Sequence, residues 1–114
     1  MVSLPKLKKL LWTSHAKAKM RQYGLSEARV RRVLHSPLRL EEGIAEDTVA
    51  MMQPAAVKAT LKGRPSEWTQ EIWVMISEKP KERRVVSAWR YPGKTKPGDP
   101  IPAEILREVR QLAT

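Results

Sequence analysis

Cysteine is absent from the 114 residues of this chain. Disulfides and thiolate metal centres are thereby excluded. Only two histidines occur, His15 and His35. Neither makes a metal site without carboxylates supplied by the fold, so no metal and no cofactor is expected. No apolar run approaches the roughly 18–20 residues that span a bilayer. Leu10-Leu11-Trp12 is too short for the apolar part of a secretory leader. The expectation is a cytoplasmic chain with no membrane partner. Asparagine is also missing while proline occurs nine times, a combination that fits a heat-adapted protein. No internal repeat and no low-complexity tract is present.

What the chain has in excess is positive charge, a net +10. That excess suits a phosphate-rich partner, of which nucleic acid is the commonest. It is also unevenly placed. Residues 1–37 carry nine lysines and arginines against Glu27 alone, a net +8. Residues 38–53 carry Arg39 against Glu41, Glu42, Glu46 and Asp47, a net −3. Residues 54–114 hold twelve basic and seven acidic residues, a net +5. The electropositive part is the N-terminal third.

The hydrophobic period places that charge on helices. Residues 1–12 form a basic arm in which Leu7, Leu10 and Leu11 have helical spacing, so a short helical turn is expected there. Thr13 or Ser14 is a helix N-cap. Ala16, Met20 and Tyr23 then make an inward stripe, and Gly24 is the stop. Ser26 caps a second helix over Glu27 to His35, with Leu25 and Val30 placed as a hydrophobic staple. Val30, Val33 and Leu34 face inward, and Pro37 ends the helix. The pair is a tight helical hairpin with a basic outer side.

Beyond Pro37 the period changes to two. Leu38 to Ile44, Asp47 to Gln53, Thr69 to Ser77 and Arg84 to Tyr91 read as four strands. Ile72, Val74 and Ile76 share one face of the third; Glu71, Trp73, Met75 and Ser77 share the other. In the fourth, Val86, Ala88 and Arg90 oppose Val85, Ser87, Trp89 and Tyr91. Residues 54–67 read as an exposed loop around Gly63-Arg64-Pro65-Ser66. Residues 94–100 are a basic linker, and Pro102 opens a last helix to about Leu112. Its stripe is Ile101, Ile105, Val109 and Leu112, with Arg107 and Glu108 towards water. The expected class is α+β: two N-terminal helices on a four-stranded antiparallel sheet, plus a C-terminal helix. The main body is residues 13–93, and residues 94–114 are a linker and helix of the same domain.

The segment Thr13-Ser14-His15-Ala16-Lys17-Ala18-Lys19-Met20, continued by Tyr23-Gly24-Leu25-Ser26 and ended by Val33-Leu34-His35-Ser36-Pro37, resembles a small domain family. That family has a histidine-led first helix and closes its meander on an aromatic–arginine strand, here Val85 to Gly93. It is similar to the RelE/BrnT group of ribonuclease toxins, whose fold is two helices on a four-stranded antiparallel sheet. The resemblance covers roughly residues 12–93. It implies RNA cleavage at the ribosome or on free RNA, and a cognate antitoxin that blocks the basic surface. The chain departs from the pattern at Lys19, where arginine is usual before the methionine, in the loop at residues 54–67, and in its extra C-terminal helix.

Metal-free RNA cleavage requires a base for the 2′-hydroxyl, an acid for the leaving oxygen and cations for the developing charge. His15 has the ordinary pKa for the first two roles, and Lys19 lies one turn on along the same face. Arg90 or Tyr91 completes the candidate catalytic set. Strand alternation brings only one of the two easily to the same edge. Lys17, Arg21, Arg29 and Arg32 are candidate RNA contacts. Trp89, with Trp73 and Tyr91, is a candidate base-stacking platform. Each has a plainer role: His15 as a local hydrogen-bonding group, Lys19 as a solvated cation, His35 as a partner of the helix dipole, Arg39 as a partner of Glu41 or Glu42, and the tryptophans as core. Three functions follow in order: an RNA-binding domain with endoribonuclease activity, a non-catalytic module for RNA, ribosome or DNA, and a protein-interaction subunit.

Overall fold

Eight elements follow one another through the chain: β1 (Lys9–Trp12), α1 (Ser14–Tyr23), α2 (Glu27–His35), β2 (Arg39–Glu42), β3 (Thr48–Pro54), β4 (Glu71–Glu78), β5 (Glu82–Tyr91) and α3 (Ala103–Leu112). The computed structural model describes residues 9–44, 47–56, 68–99 and 101–112. The expected loop at residues 54–67 lies largely outside the described residues, as does most of the basic arm.

The helical hairpin forms as its caps dictate. The Thr13 side chain accepts from the Ala16 N–H at 3.0 Å, and Ser26 does the same for Arg29 at 3.0 Å. Gly24 ends α1 at φ 66°, ψ 39°, a left-handed position that other residues adopt only under strain. Leu25 and Val30 are both buried in one cluster, the staple that fixes the angle between the helices.

The sheet differs from the expected one by a strand. Its order is β1-β5-β4-β3-β2, and β1 pairs with β5 in parallel, Trp12 lying opposite Val85. The other pairings are antiparallel. Residues 9–12 are therefore an edge strand and not a helical turn. A run of four residues is too short for periodicity to separate the two, and the free edge of β5 decides it. β1 stops at Trp12. Thr13 remains tied to β5, its N–H donating to the Val85 carbonyl at 3.1 Å and its hydroxyl to the Val86 carbonyl at 3.2 Å. The chain thus turns directly into α1, which runs beside the second half of β5 and reaches both faces of the sheet.

Each face carries its own core. Met51, Ile72, Val74, Ile76, Val85 and Ala88 pack under α1 and α2 through Ala16, Met20, Leu25, Val30 and Val33. Ala50, Met52, Trp73, Met75 and Trp89 pack under α3 through Ile105 and Val109. Burial of each such Ile or Val side chain stabilises the fold by about 1.5–3 kcal/mol. Strict alternation in β5 fails at one point. Met75 pairs with Ser87 and Ile76 with Val85, so Val86 is the extra residue of a bulge. Val85 consequently shares the helix-hairpin face with Ala88, and Val86 packs on the opposite side. At the other edge, Leu38, just before β2, and Leu40 within it are 46% and 61% exposed.

Candidate functional site

Because Thr13 is fastened to β5, the first turn of α1 is fixed against Ser87. The His15 Nε2 and the buried Ser87 Oγ share a hydrogen bond of 3.1 Å, whose direction follows the imidazole tautomer. One turn on, Lys19 is 5% exposed. Its ammonium donates to Glu104 Oε1 at 2.7 Å and to Gln22 Oε1 at 3.1 Å. It lies 2.9 Å from Glu108 Oε2, which is also 3.5 Å from His15 Nε2. That carboxylate oxygen is buried without a directed hydrogen bond, so Lys19 serves it as a counter-charge. The expected His15–Lys19 stripe therefore exists, and it is matched by an acidic pair at the same four-residue spacing on α3. Glu108 faces this cluster, whereas its helical position had placed it towards water.

The electrostatics follow from those contacts. Burial lowers the His15 pKa below its ordinary 6.5, Glu108 opposes the shift and Lys19 adds to it, which favours the neutral imidazole. Burial also pulls the Lys19 pKa down, but the hydrogen bond that Lys19 donates to Glu104 and the charges of Glu104 and Glu108 outweigh it and raise the pKa. The hydrogen bond from Lys19 holds the Glu104 carboxyl below its usual range. Lys19 is thus a fully charged cation whose field is cancelled by two carboxylates. It is not the solvated lysine of the plainer reading.

Arg90 and Tyr91 do not join this cluster. They point to opposite faces of β5, Tyr91 to the α3 side, and both lie further along the strand than Ser87, which holds His15. The Arg90 Nε donates to the Tyr23 carbonyl at 2.9 Å, at the far end of α1. Tyr91 lines a pocket on the α3 side with Arg39, Trp73, Trp89 and Thr95. The space open to the centre of a water molecule in that pocket is ≈ 20 Å³, enough for one water and not for a metabolite. The four candidate catalytic residues are therefore divided among three places. Trp89 is 2% exposed and stacks on Trp73 at 6.0 Å with planes 4° apart. The Arg39 guanidinium covers Trp73 at 5.3 Å. Trp89 is core here, and no nucleobase reaches its ring.

Lys17, Arg21 and Arg32 are exposed and Arg29 is half-buried. They differ from the basic residues of the sheet in one respect. Arg39, Arg83 and Arg84 each meet a carboxylate, at 2.6, 3.1 and 2.8 Å. Among the described residues, Lys17, Arg21, Arg29, Arg31, Arg32 and Arg90 meet none.

Two features escaped the sequence. Glu71 is completely buried, yet it accepts hydrogen bonds from Trp68 Nε1, Trp73 Nε1, the Thr95 N–H and the Thr95 hydroxyl at 2.9, 3.0, 3.1 and 2.6 Å. It ties the segment leading to α3 onto the sheet. The pairing of α3 with α1 is the other, and its only trace in the sequence is the shared spacing of His15/Lys19 and Glu104/Glu108. No group of three or more metal-ligating side chains occurs among the described residues, and none of their helices is long and apolar enough to cross a membrane. No family model, curated protein or solved structure matches the chain.

Proposed function

We propose that this protein is an RNA-binding domain of the RelE/BrnT-like kind. It meets free or ribosomal RNA through the α1–α2 hairpin and the adjoining end of β5. The observation that carries this reading is the partition of the cations. Arg39, Arg83 and Arg84 of the sheet are neutralised within the fold, whereas the hairpin's arginines and Arg90 meet no carboxylate among the described residues. Like charges held close together cost stability, so the arrangement is favoured when an external polyanion supplies the missing charge. An antitoxin for such a domain is an acidic protein that covers the same face.

The test is binding of a labelled single-stranded RNA by fluorescence anisotropy. Arg32→Glu weakens it at least tenfold, and Arg84→Glu, which replaces an arginine already paired with Glu82, leaves it within about twofold. Equal losses in both variants refute a localised interface.

Endoribonuclease activity is a second reading, favoured by the neutral His15 imidazole beside Ser87 and Lys19. In the folded arrangement Glu104 and Glu108 occupy the anion positions of that cluster. A scissile phosphate reaches Lys19 only if α3 gives way. Glu104→Gln/Glu108→Gln removes both carboxylate charges while keeping the side-chain volumes. Metal-free RNA cleavage that rises in this variant and disappears on adding His15→Ala supports the reading. Intact RNA in both variants removes it, leaving the RNA-binding module.

A further inference from the structure

Arg90 is separated from His15, but its surroundings are informative. Gln53, Ile72 and Arg90 are directly opposite one another across β3, β4 and β5, and so form one row on the face beneath the helical hairpin. Arg29, in the first turn of α2, lies down onto this row. Its Nη1 donates to Gln53 Oε1 at 2.7 Å and its Nη2 to the Pro54 carbonyl at 3.1 Å. The Gln53 amide is itself held, its Nε2 donating to the Arg32 and Ser36 carbonyls at 3.0 and 2.7 Å. That leaves only its oxygen for Arg29. From the other end of the row, Arg90 is held through Nε by the Tyr23 carbonyl at 2.9 Å, and neither of its terminal nitrogens has a partner among the described residues.

Two half-buried guanidiniums are therefore fixed by neutral acceptors, on either side of the α1–α2 turn. Arg29 is close enough to Arg32 and Arg90 for their charges to act on it. Burial foremost, then the charges of Arg32 and Arg90, lower its pKa. Fixing an arginine through neutral carbonyl and amide oxygens holds its geometry and leaves its charge uncompensated. That differs from Arg39, Arg83 and Arg84, whose charges are spent inside the fold. Planar guanidiniums with free terminal N–H groups match the oxygens of a phosphate.

We propose that Arg29 and Arg90, flanked by Arg32, form a phosphate clamp at the α1–α2 turn that grips one phosphodiester of the bound RNA. The identity of the phosphate's owner rests on the RNA-binding reading above. The clamp itself does not. It is a site of defined geometry, distinct from the diffuse attraction of Lys17 and Arg21 further up α1.

Inorganic phosphate is the probe that separates the two claims. The arginine Nε–Hε NMR signals of the full-length protein are followed as phosphate replaces chloride at constant ionic strength. The clamp predicts saturable shifts at Arg29 and Arg90, unchanged in Arg84→Gln, whose arginine is already paired with Glu82. Arg29→Lys and Arg90→Lys keep the charge and lose the fork, and each weakens phosphate and RNA binding about tenfold with the melting temperature as a check on folding. If phosphate produces no saturable shift in the wild-type protein, the clamp is refuted, even where RNA still binds through the hairpin's charge. If RNA binds and both lysine variants bind it as wild type does, the clamp is refuted likewise. Saturable phosphate binding without RNA binding upholds the clamp and overturns the RNA reading.

Discussion

Replacing Glu71 by glutamine perturbs the fold at its most polar buried point, and the outcome is calculable from the contacts. The carboxylate receives two donors at each oxygen: Trp73 and the Thr95 hydroxyl at Oε1, Trp68 and the Thr95 N–H at Oε2. Glutamine keeps one accepting oxygen and turns an NH₂ towards the other pair. At the Oε1 position that amide would strand the Trp73 indole, a donor 5% exposed with no route to water. It therefore turns to the Oε2 side, where the half-buried Trp68 can rehydrate and the Thr95 N–H cannot do so as readily. Both hydrogen bonds at that oxygen are lost, the Trp68 one being replaced by water, and the two at the remaining oxygen become bonds to a neutral acceptor. At about 1.5–3 kcal/mol for a bond to a charged acceptor, and with relief of the carboxylate's own desolvation subtracted, the expected loss is about 2–3 kcal/mol. That corresponds to a fall in melting temperature of about 10–15 °C for a domain of this size. Glu71→Ala strands Trp73 as well and costs about 3–5 kcal/mol. Urea denaturation followed by far-UV circular dichroism measures both, without the fluorescence changes that two altered tryptophans would bring. Because Thr95 is the attachment of the segment before α3, amide exchange at Ile105 and Val109 should quicken more than at Val30 and Val33. A loss below about 0.5 kcal/mol for glutamine would refute the reasoning, since it would mean that the carboxylate is solvated and its four contacts dispensable.

Gly24→Ala, at a left-handed position with open space around it, should cost about 1 kcal/mol through backbone strain alone, and Gly24→Asn measurably less, both read by chemical denaturation. The lowered pKa of His15 gives stability a defined pH dependence. The unfolded chain takes up a proton near pH 6.5 while the native imidazole stays neutral. The contribution of His15 is therefore fully present above pH 6.5 and declines as pH falls from there through the lowered native pKa. His15→Gln should flatten the stability profile within that window and leave the slope below pH 4.5, where Glu104 protonates, unchanged. A profile with the same slope near pH 6 in both proteins would show that His15 is solvated.

The helical hairpin was legible from single residues, because Thr13, Ser26 and Gly24 act within one turn of where they sit. The strands β3, β4 and β5 were legible because their alternation matches burial on two faces. β1 was not, since Lys9 to Trp12 becomes a strand only through the unpaired edge of a segment some seventy residues away. The bulge at Val86 was invisible for a related reason: one extra residue is absorbed by pairing, and alternation alone placed Val85 on the wrong side. In the candidate site, the spacing of His15 and Lys19 correctly put them on one face. Their charge state depended on Glu104 and Glu108, which enter through packing of α3. Arg39 pairs with Glu41 as alternation allowed, but its further contacts with Thr95 and Trp73 depend on the register of β2 against β3 and β4. In each case the missing information was a contact distant in sequence.

The central claim, that RNA is held by the uncompensated cations of the hairpin and Arg90, is tested most directly by the salt dependence of RNA binding. For a single strand the slope of log K against log salt is about −0.7 per phosphate neutralised. Engagement of Lys17, Arg21, Arg29, Arg31, Arg32 and Arg90 predicts a slope of about −4 for the wild-type protein and about −3 for Arg29→Gln/Arg32→Gln. The same slope in both proteins, or RNA binding that does not respond to salt, would contradict the account.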